Sequence, residues 1–342
     1  MRLDSVTVTI VTYNSARVIE RCLDCVLAQD YGSLDVVVVD NASKDATRHI
    51  LAGYEGRIRV IYNPRNTGFC AGQNLAIRAS RSDWVLTLNP DVFLLPDFVS
   101  QLVEAARIDR KVGTVCGRLL RIQSDGSPLH ERRIDSAGIF FTCTARHFDR
   151  GWNEPDDGRY RQTEYVFGAC AAAALYRRKM ILDIAQADGF FDPDFFSYRE
   201  DADVAWRAQL LGWRCLYVHT AESYHVRRML PGDRHSVPAV LNMHSVKNRF
   251  LMRVKNMTGD LYCRIWFPTT ARDVLIIGGC LFYEPTSLSA FWHTLKSLRR
   301  AVNKRRDIMA RRRVTDEYLA GWFQQHATAQ PVPEAAVSEV YR

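Results

Sequence analysis

Two acidic groups stand where this chain could do chemistry. The first closes an apolar run: Trp84 to Leu88 leads into Asn89, Pro90 and Asp91, an amide and a carboxylate two residues apart. Hard cations such as Mg²⁺ or Mn²⁺ take oxygen ligands, commonly one or two carboxylates plus a substrate's phosphates, and Asp91 is the natural ligand. The competing reading is a type I turn, which Asn-Pro often opens. The second group is Glu200, Asp201 and Asp203 in "YREDADVAW", at the start of an amphipathic helix, where the helix dipole favours acids in any protein. Here it follows the aromatic stretch "GFFDPDFFSY", a wall able to pack a sugar ring and to raise a carboxylate's basicity by desolvation. A carboxylate so placed can act as general base toward a hydroxyl. His225 in "SYHV" ends a later strand; lone histidines are mostly structural, and one returning toward a ligand cleft would complete a metal shell.

These side chains need elements to hold them. "VTVTIVTYN" reads as a strand, "ARVIERCLDCVLAQ" as a helix, "LDVVVVDNAS" as a second strand and "DATRHILAGY" as a second helix. "IRVIYNP", "GFCAGQNLAIRAS" and "SDWVLTLNPDV" continue as strand, helix and strand. The alternation predicts an α/β fold with a parallel sheet covered by helices. Polar residues collect at the strand ends: Thr12, Tyr13 and Asn14; Asp40, Asn41 and Ser43; Asn63 and Asn66; Asn89 and Asp91. Four ends turning polar on one edge describe a single cleft. Asp40 and its neighbours also suit a helix N-cap, yet capping alone does not ask for polar side chains at four strand ends. Past residue 115 the alternation weakens into a strand, a hairpin-like piece, an apolar run entering a helix, the acidic helix and a strand. Beyond Pro231 the pattern is helical up to a polar tail from about residue 327.

Composition narrows the classes. The 342 residues are 47% hydrophobic, enough for a real core, which excludes a disordered chain. The nine scattered cysteines lack zinc-module spacing and read as reduced thiols of a cytoplasmic protein, with Cys22 and Cys25 packing inside a helix. The first βα turn, "VTYNSA", has no glycine, so the dinucleotide fingerprint is missing, as is the Walker lysine motif. No secretory signal opens the chain, and the best apolar stretch, "DVLIIGGCLFYEP", is too short to span a bilayer, though it could lie in a membrane surface. The net charge of +8 concentrates in "KSLRRAVNKRRDIMARRR". No nucleic-acid module accompanies it. Residues 291–313 read either as a peripheral contact with an anionic membrane or as a solvated basic helix.

Five segments, "VTIVTYNSARVIERCLDCVLAQ", "VVVVDNASKDAT", "NTGFCAGQNLAI", "LTLNPDV" and "GFFDPDFFSYREDADVAWRAQLLGW", stand in family order. Over about residues 5 to 228 the chain resembles glycosyltransferase family 2, especially its rhamnosyltransferase-like branch. The resemblance implies a GT-A-type, Rossmann-like, mostly parallel sheet flanked by helices. It divides the chain into a catalytic domain over 1–230, with halves meeting near 115, and a helical, basic C-terminal extension over 231–342 ending in a flexible tail. It also implies an inverting transfer, read as rhamnose from dTDP-rhamnose with UDP-sugars next, to a cell-surface glycan or lipid-linked acceptor, with oligomerisation left open. Thr12, Asn14, Asp40 and Asn41 would match nucleotide-contacting positions, Gly68, Gly72 and Asn74 the next donor-side loop, and Gly168 and Ala169 a loop near the transferred sugar. Asp91 would end the family's Asp-x-Asp motif and hold a divalent Mg or Mn on the diphosphate; Asp201, paired with Glu200, would be the base. Asn89 replaces the motif's first Asp, which leaves the site less negative and opens the question of metal dependence. Two rivals stand beside this reading. Intact Asp91 and Asp201 speak against a noncatalytic nucleotide-sugar-binding scaffold, and the glycine-free first turn against a sugar nucleotidyltransferase.

Overall fold

The computed structural model describes residues 3–227, 238–326 and 328–333. β1 (Val6–Thr12), β2 (Leu34–Asp40), β3 (Arg59–Tyr62) and β4 (Trp84–Leu88) are separated by α1 (Ile19–Leu27), α2 (Thr47–Ala52) and α3 (Gly68–Arg78), as the alternating pattern predicts. The strands lie in the order β4-β1-β2-β3, all parallel. β1 is covered on both faces, Val6, Val8 and Ile10 by one apolar cluster and Val11 by another against α3. Each such side chain contributes about 1.5–3 kcal/mol by burial, which explains an uninterrupted β-branched run. The register pairs Thr12 with Asp40, Asp40 with Tyr62 and Ile10 with Leu88. The polar residues after each strand therefore open on one edge, at the point where the strand order reverses about β1.

The chain continues through β5 (Val92–Leu94), α4 (Phe98–Ala105), β6 (Val112–Arg121), β7 (Ile134–Ser136), β8 (Ile139–Phe141), β9 (His147–Asp149) and β10 (Glu164–Val166). Then come β11 (Ala173–Arg177), α5 (Arg178–Ile184), α6 (Glu200–Leu210) and β12 (Arg214–His225). β11 enters antiparallel between β4 and β6, and β12 runs parallel to β6. The end of β12 also pairs with β5, Val92 opposite His225, which brings His225 back to Asp91.

α7 (Ala239–Asn256), α8 (Gly259–Phe282), α9 (Ser289–Ala310) and α10 (Asp316–Ala320) confirm the helical pattern of the C-terminal third, and β13 (Gln330–Pro331) adds to β10. The domain boundary expected at 230 and the end of the expected flexible tail lie outside the described residues. The packing shows no break: Leu251, Met252, Ile265, Ile308 and Trp322 share one buried cluster with Phe167, Phe191 and Trp206.

The C-terminal third adds two findings. Most of the cations of residues 291–313, which read either as a membrane contact or as a solvated basic helix, have partners within the protein. Arg300 pairs with Asp194; Lys304 with Asp188, Asp192 and Asp194; Arg312 with Asp316; Arg313 with Asp183. Arg305 and Arg311 donate to backbone carbonyls of Val254 and Asp183. Secondly, no uninterrupted apolar run is long, yet the 24-residue α8 contains an 18-residue stretch of mean hydropathy 1.2, enough by length and composition to cross a membrane. Pro268 cannot donate to the carbonyl of Arg264 and crowds it, and the helix breaks next to that turn, at Ile265 (φ −120°, ψ 16°).

Candidate active site

The two acidic groups read from the sequence meet across a chain of charges. His225 Nε2 lies 3.5 Å from Asp91 Oδ1, and its Nδ1 is 2.7 Å from Asp135 Oδ2. Asp135, fully buried on β7, also pairs with Arg227 at 3.3 Å, and Arg227 reaches Asp149 of β9 at 2.6 Å. Burial opposes the protonated imidazole, but the charge and hydrogen bond of Asp135, aided by Asp91, push His225 up to about 10. Asp149 in turn acts on Asp201 at the start of α6. Burial first, and the charge of Asp149 second, hold the Asp201 carboxyl above the usual carboxylate range, while N–H donors of Ala202 and Ala171 and the nearby Arg199 pull the other way. Its neighbour Glu200 is buried, its Oε2 has no hydrogen-bond partner among the described residues, and burial followed by the charge of Asp201 raises its carboxyl above the usual range.

The loop that delivers Asp201 is strained. Phe196, Tyr198 and Arg199 all hold positive φ (65°, 71° and 68°), a conformation costly outside glycine. One side chain ties it down: Asn248 Nδ2 of α7 lies 2.9, 2.9 and 2.8 Å from the carbonyls of Phe195, Ser197 and Tyr198. Arg199 adds a bond to the carbonyl of Ser245 at 2.8 Å. Replacing Asn248 by Ala leaves those carbonyls without their shared donor, a cost of about 1–3 kcal/mol for buried groups. We expect Asn248→Ala to remain folded with kcat lowered about tenfold or more, since small misplacements of a catalytic group are costly. Melting curves and steady-state kinetics on one preparation check this; a destabilised variant with unchanged kcat would reduce Asn248 to a purely structural role.

On the donor side the predicted residues divide. Thr12 is buried at the end of β1, and its Oγ1 has no hydrogen-bond partner among the described residues. Asn14, with φ of 51°, takes the N–H of Lys44 on Oδ1 at 2.8 Å and shapes the first turn. Asp40 is buried and already accepts from Arg48 at 2.6 Å and from the Ser43 N–H. Others already carry structural hydrogen bonds or close contacts. Asn41 spends its amide on Gly68, Asn63 and Thr67, and Asn74 bonds both backbone groups of Phe191. A Cβ on Gly68 (φ 81°) would meet Phe196 at 2.6 Å, one on Gly72 would meet Val11 at 2.9 Å, and one on Gly168 would meet Ala205 at 2.2 Å. These glycines let α3 and α6 approach the sheet and the aromatic loop. Ala169 is buried in the same segment as Ala171, whose N–H reaches Asp201. Asn89 is partly exposed, its backbone N–H held by the carbonyl of Ala172 at 2.8 Å.

For a divalent ion, Asp91 offers oxygen, and His225 offers Nε2 once an ion displaces the proton held there; Asp135 behind the imidazole is the orienting carboxylate that metal-ligating histidines usually have, so these residues fit one. Asp188, Asp192 and Asp194 also cluster within 4.8 Å, but Lys304 bonds all three and Lys255 and Arg300 join it, so that cluster is neutralised by the protein's own cations. Asp203 is likewise spoken for, by Lys255 and Arg207 at 2.9 Å each, which removes it from the candidate bases.

Several known proteins resemble this chain. The chain is 36% identical over 106 residues to the succinoglycan biosynthesis protein ExoO of Rhizobium meliloti, covering 31% of this chain and 30% of the relative. It is 32% identical over 190 residues to an N-acetylglucosaminyltransferase of Mesorhizobium japonicum, covering 53% and 41%. The chain thus spans less than half the length of these curated relatives. Among solved structures, Staphylococcus aureus TarS 1–349 in complex with UDP-GlcNAc superposes with a TM-score of 0.55 at 17% identity over 90% of each chain. A mannosyltransferase of Pyrobaculum calidifontis with GDP-Man and Mn²⁺ gives 0.52 at 15%, over 91% of this chain and 86% of the other. These likenesses show the GT-A fold. With residues 7–184 matching the family model itself, the chain belongs to glycosyl transferase family 2.

Proposed function

We propose that the protein transfers a sugar from a nucleotide diphosphate to an acceptor hydroxyl, with inversion at the anomeric carbon. The observation that carries this reading is Asp201, a carboxylate of raised basicity linked to Asp91 through His225, Asp135, Arg227 and Asp149. Asp201 takes the hydroxyl proton as the acceptor oxygen bonds to the anomeric carbon, and the bond from that carbon to the diphosphate breaks with its electrons leaving on the diphosphate. A divalent ion held by Asp91 and His225 would offset the charge on the departing diphosphate. Thr12, Asn14 and Asp40 would border the nucleotide, and the wall of Phe190, Phe191 and Phe195 would keep water from the base side.

The names of the relatives bear on the donor. An N-acetylglucosaminyltransferase and a TarS complex with UDP-GlcNAc favour a UDP-linked N-acetylhexosamine over the dTDP-rhamnose that the branch resemblance suggests. The succinoglycan relative favours a polysaccharide as acceptor. The test is release of nucleoside diphosphate from UDP-, dTDP- and GDP-sugars with Mg²⁺ or Mn²⁺. We expect hydrolysis of one donor class, lost in Asp91→Ala; binding without hydrolysis of any donor would favour the scaffold reading. Asp135→Asn should raise the Mn²⁺ concentration for half-activity about 10–100-fold, the usual cost of losing such an orienting carboxylate. A metal titration with unchanged midpoint would remove His225 from the ion's shell.

A further inference from the structure

Outside the cleft, the largest unexplained feature is the outer face of α8 and its turn into α9. Trp266, Phe267, Val274, Leu275, Leu281, Phe282 and Tyr283 are between 51% and 84% exposed, and Trp292 and Leu295 extend the patch onto α9 at 59% and 63%. From Ile265 to Tyr283 the only charged residues are Arg272 and Asp273, both partly buried, and Asp273 is held inward by Arg249 and Arg253 of α7. A surface helix ordinarily turns its charges outward; this one turns them in. An apolar area of this extent marks a contact surface.

We propose that this face lies in the plane of an anionic lipid bilayer, with α8 embedded along its length without crossing. The anchoring of α8 decides between lying and crossing. Leu261, Ile265 and Thr269 are buried near its start, Asp273 is paired at its middle, and Cys280 is buried near its end against Met243, Val246 and Ala290. A helix fastened to the protein at about every turn over its first half and again near its end cannot leave it to traverse a membrane, while its opposite side stays free to enter the headgroup and acyl boundary. The charge pattern names the partner. Exposed Lys296, Arg299 and Arg306 follow Trp292 and Leu295 along α9, which carries no acid before Asp307, while Arg264 of α8 is paired with Glu317. Lys296 sits over the ring of Trp292 at 4.9 Å, and Trp, Tyr and basic residues together are the composition of a membrane interface. A second copy of this chain would bring a second basic stretch against the first.

The surface is independent of which sugar is transferred, so its test needs no substrate. The full chain is floated with vesicles of phosphatidylcholine alone and with phosphatidylglycerol added, beside Phe282→Asp, the double variant Lys296→Glu with Arg299→Glu, and Asp201→Asn. Expected are flotation with the anionic vesicles, a drop of tenfold or more in the bound fraction for Phe282→Asp, a smaller drop for the charge variant, and none for Asp201→Asn. Phe282 is 81% exposed, so its replacement leaves folding intact, which circular dichroism verifies. A chain that stays at the bottom with every vesicle overturns the proposal. So does a dimer in light scattering that Phe282→Asp converts to monomer, which would assign the face to a second copy.

Discussion

Asp201→Asn is expected to fold normally, to bind donor with little change, and to lose transfer to acceptor by about 10²–10⁴-fold, the range a positioned general base supplies. The carboxylate must be ionised to take the hydroxyl proton. Because burial and the charge of Asp149 hold its carboxyl above the usual carboxylate range, kcat/KM should fall as the pH drops through that elevated value. Asp149→Asn removes one of the two causes and should move the acid limb to lower pH. A pH profile of transfer for the three proteins checks both statements. Full activity in Asp201→Asn would shift the role to Glu200, the other acid at the start of α6, since Asp203 is enclosed by Lys255 and Arg207.

Lys255→Met should be the most destabilising single change outside the apolar core, by about 3–5 kcal/mol, because it strips a buried cation from two buried carboxylates. Lys255 Nζ lies 2.6 Å from Asp192 and 2.9 Å from Asp203, and all three side chains are at most 1% exposed. Arg207 and Asn256 still serve Asp203, and Lys304 still serves Asp192, which keeps the loss from being larger. Burial works against both carboxylates, yet Lys255 and its neighbouring cations hold them below the usual range. Their stabilisation is therefore present above the unfolded-state carboxylate value and is lost as the pH falls through the depressed folded values. Urea unfolding at neutral and mildly acidic pH should show the gap between wild type and variant narrowing on acidification, since an unpartnered carboxylate accepts a proton more readily. A loss under about 1 kcal/mol at neutral pH would contradict this account, being no more than an exposed pair contributes.

The first half of the fold was legible because its strands and helices differ in period and each strand stops at a polar residue. Thr12 and Asp40 do lie side by side on one edge, as that reading requires. The antiparallel insertion of β11 was not legible, since the apolar "CAAAALYRR" shows no period by which its direction could be read. Asp91 and Asp201 stood out because each sits at an element boundary. The residues connecting them did not: Asp135 meets His225 across 90 positions, and Asn248 meets Phe195 across 53. Such pairings arise only from β7 lying along β6 and α7 crossing the aromatic loop, and no local spacing announces them. Asn41, Asn74, Gly68 and Gly72 look like binding residues in a motif, yet their amides and missing side chains serve close packing.

The neutralisation of Asp192 and Asp203 also sets an order of events during synthesis. The acids emerge from the ribosome with the aromatic loop and α6, whereas Lys255 follows from α7, and Lys304 comes 112 residues after Asp192. Until α9 has emerged, the nascent chain holds a complete family-matching segment in which Asp188 and Asp194 lack their α9 cations and Asp192 has Lys255 but not Lys304. The aromatic loop can lock into place only once residue 304 has emerged, so a ribosome stalled before that point should carry an incompletely closed, protease-sensitive intermediate.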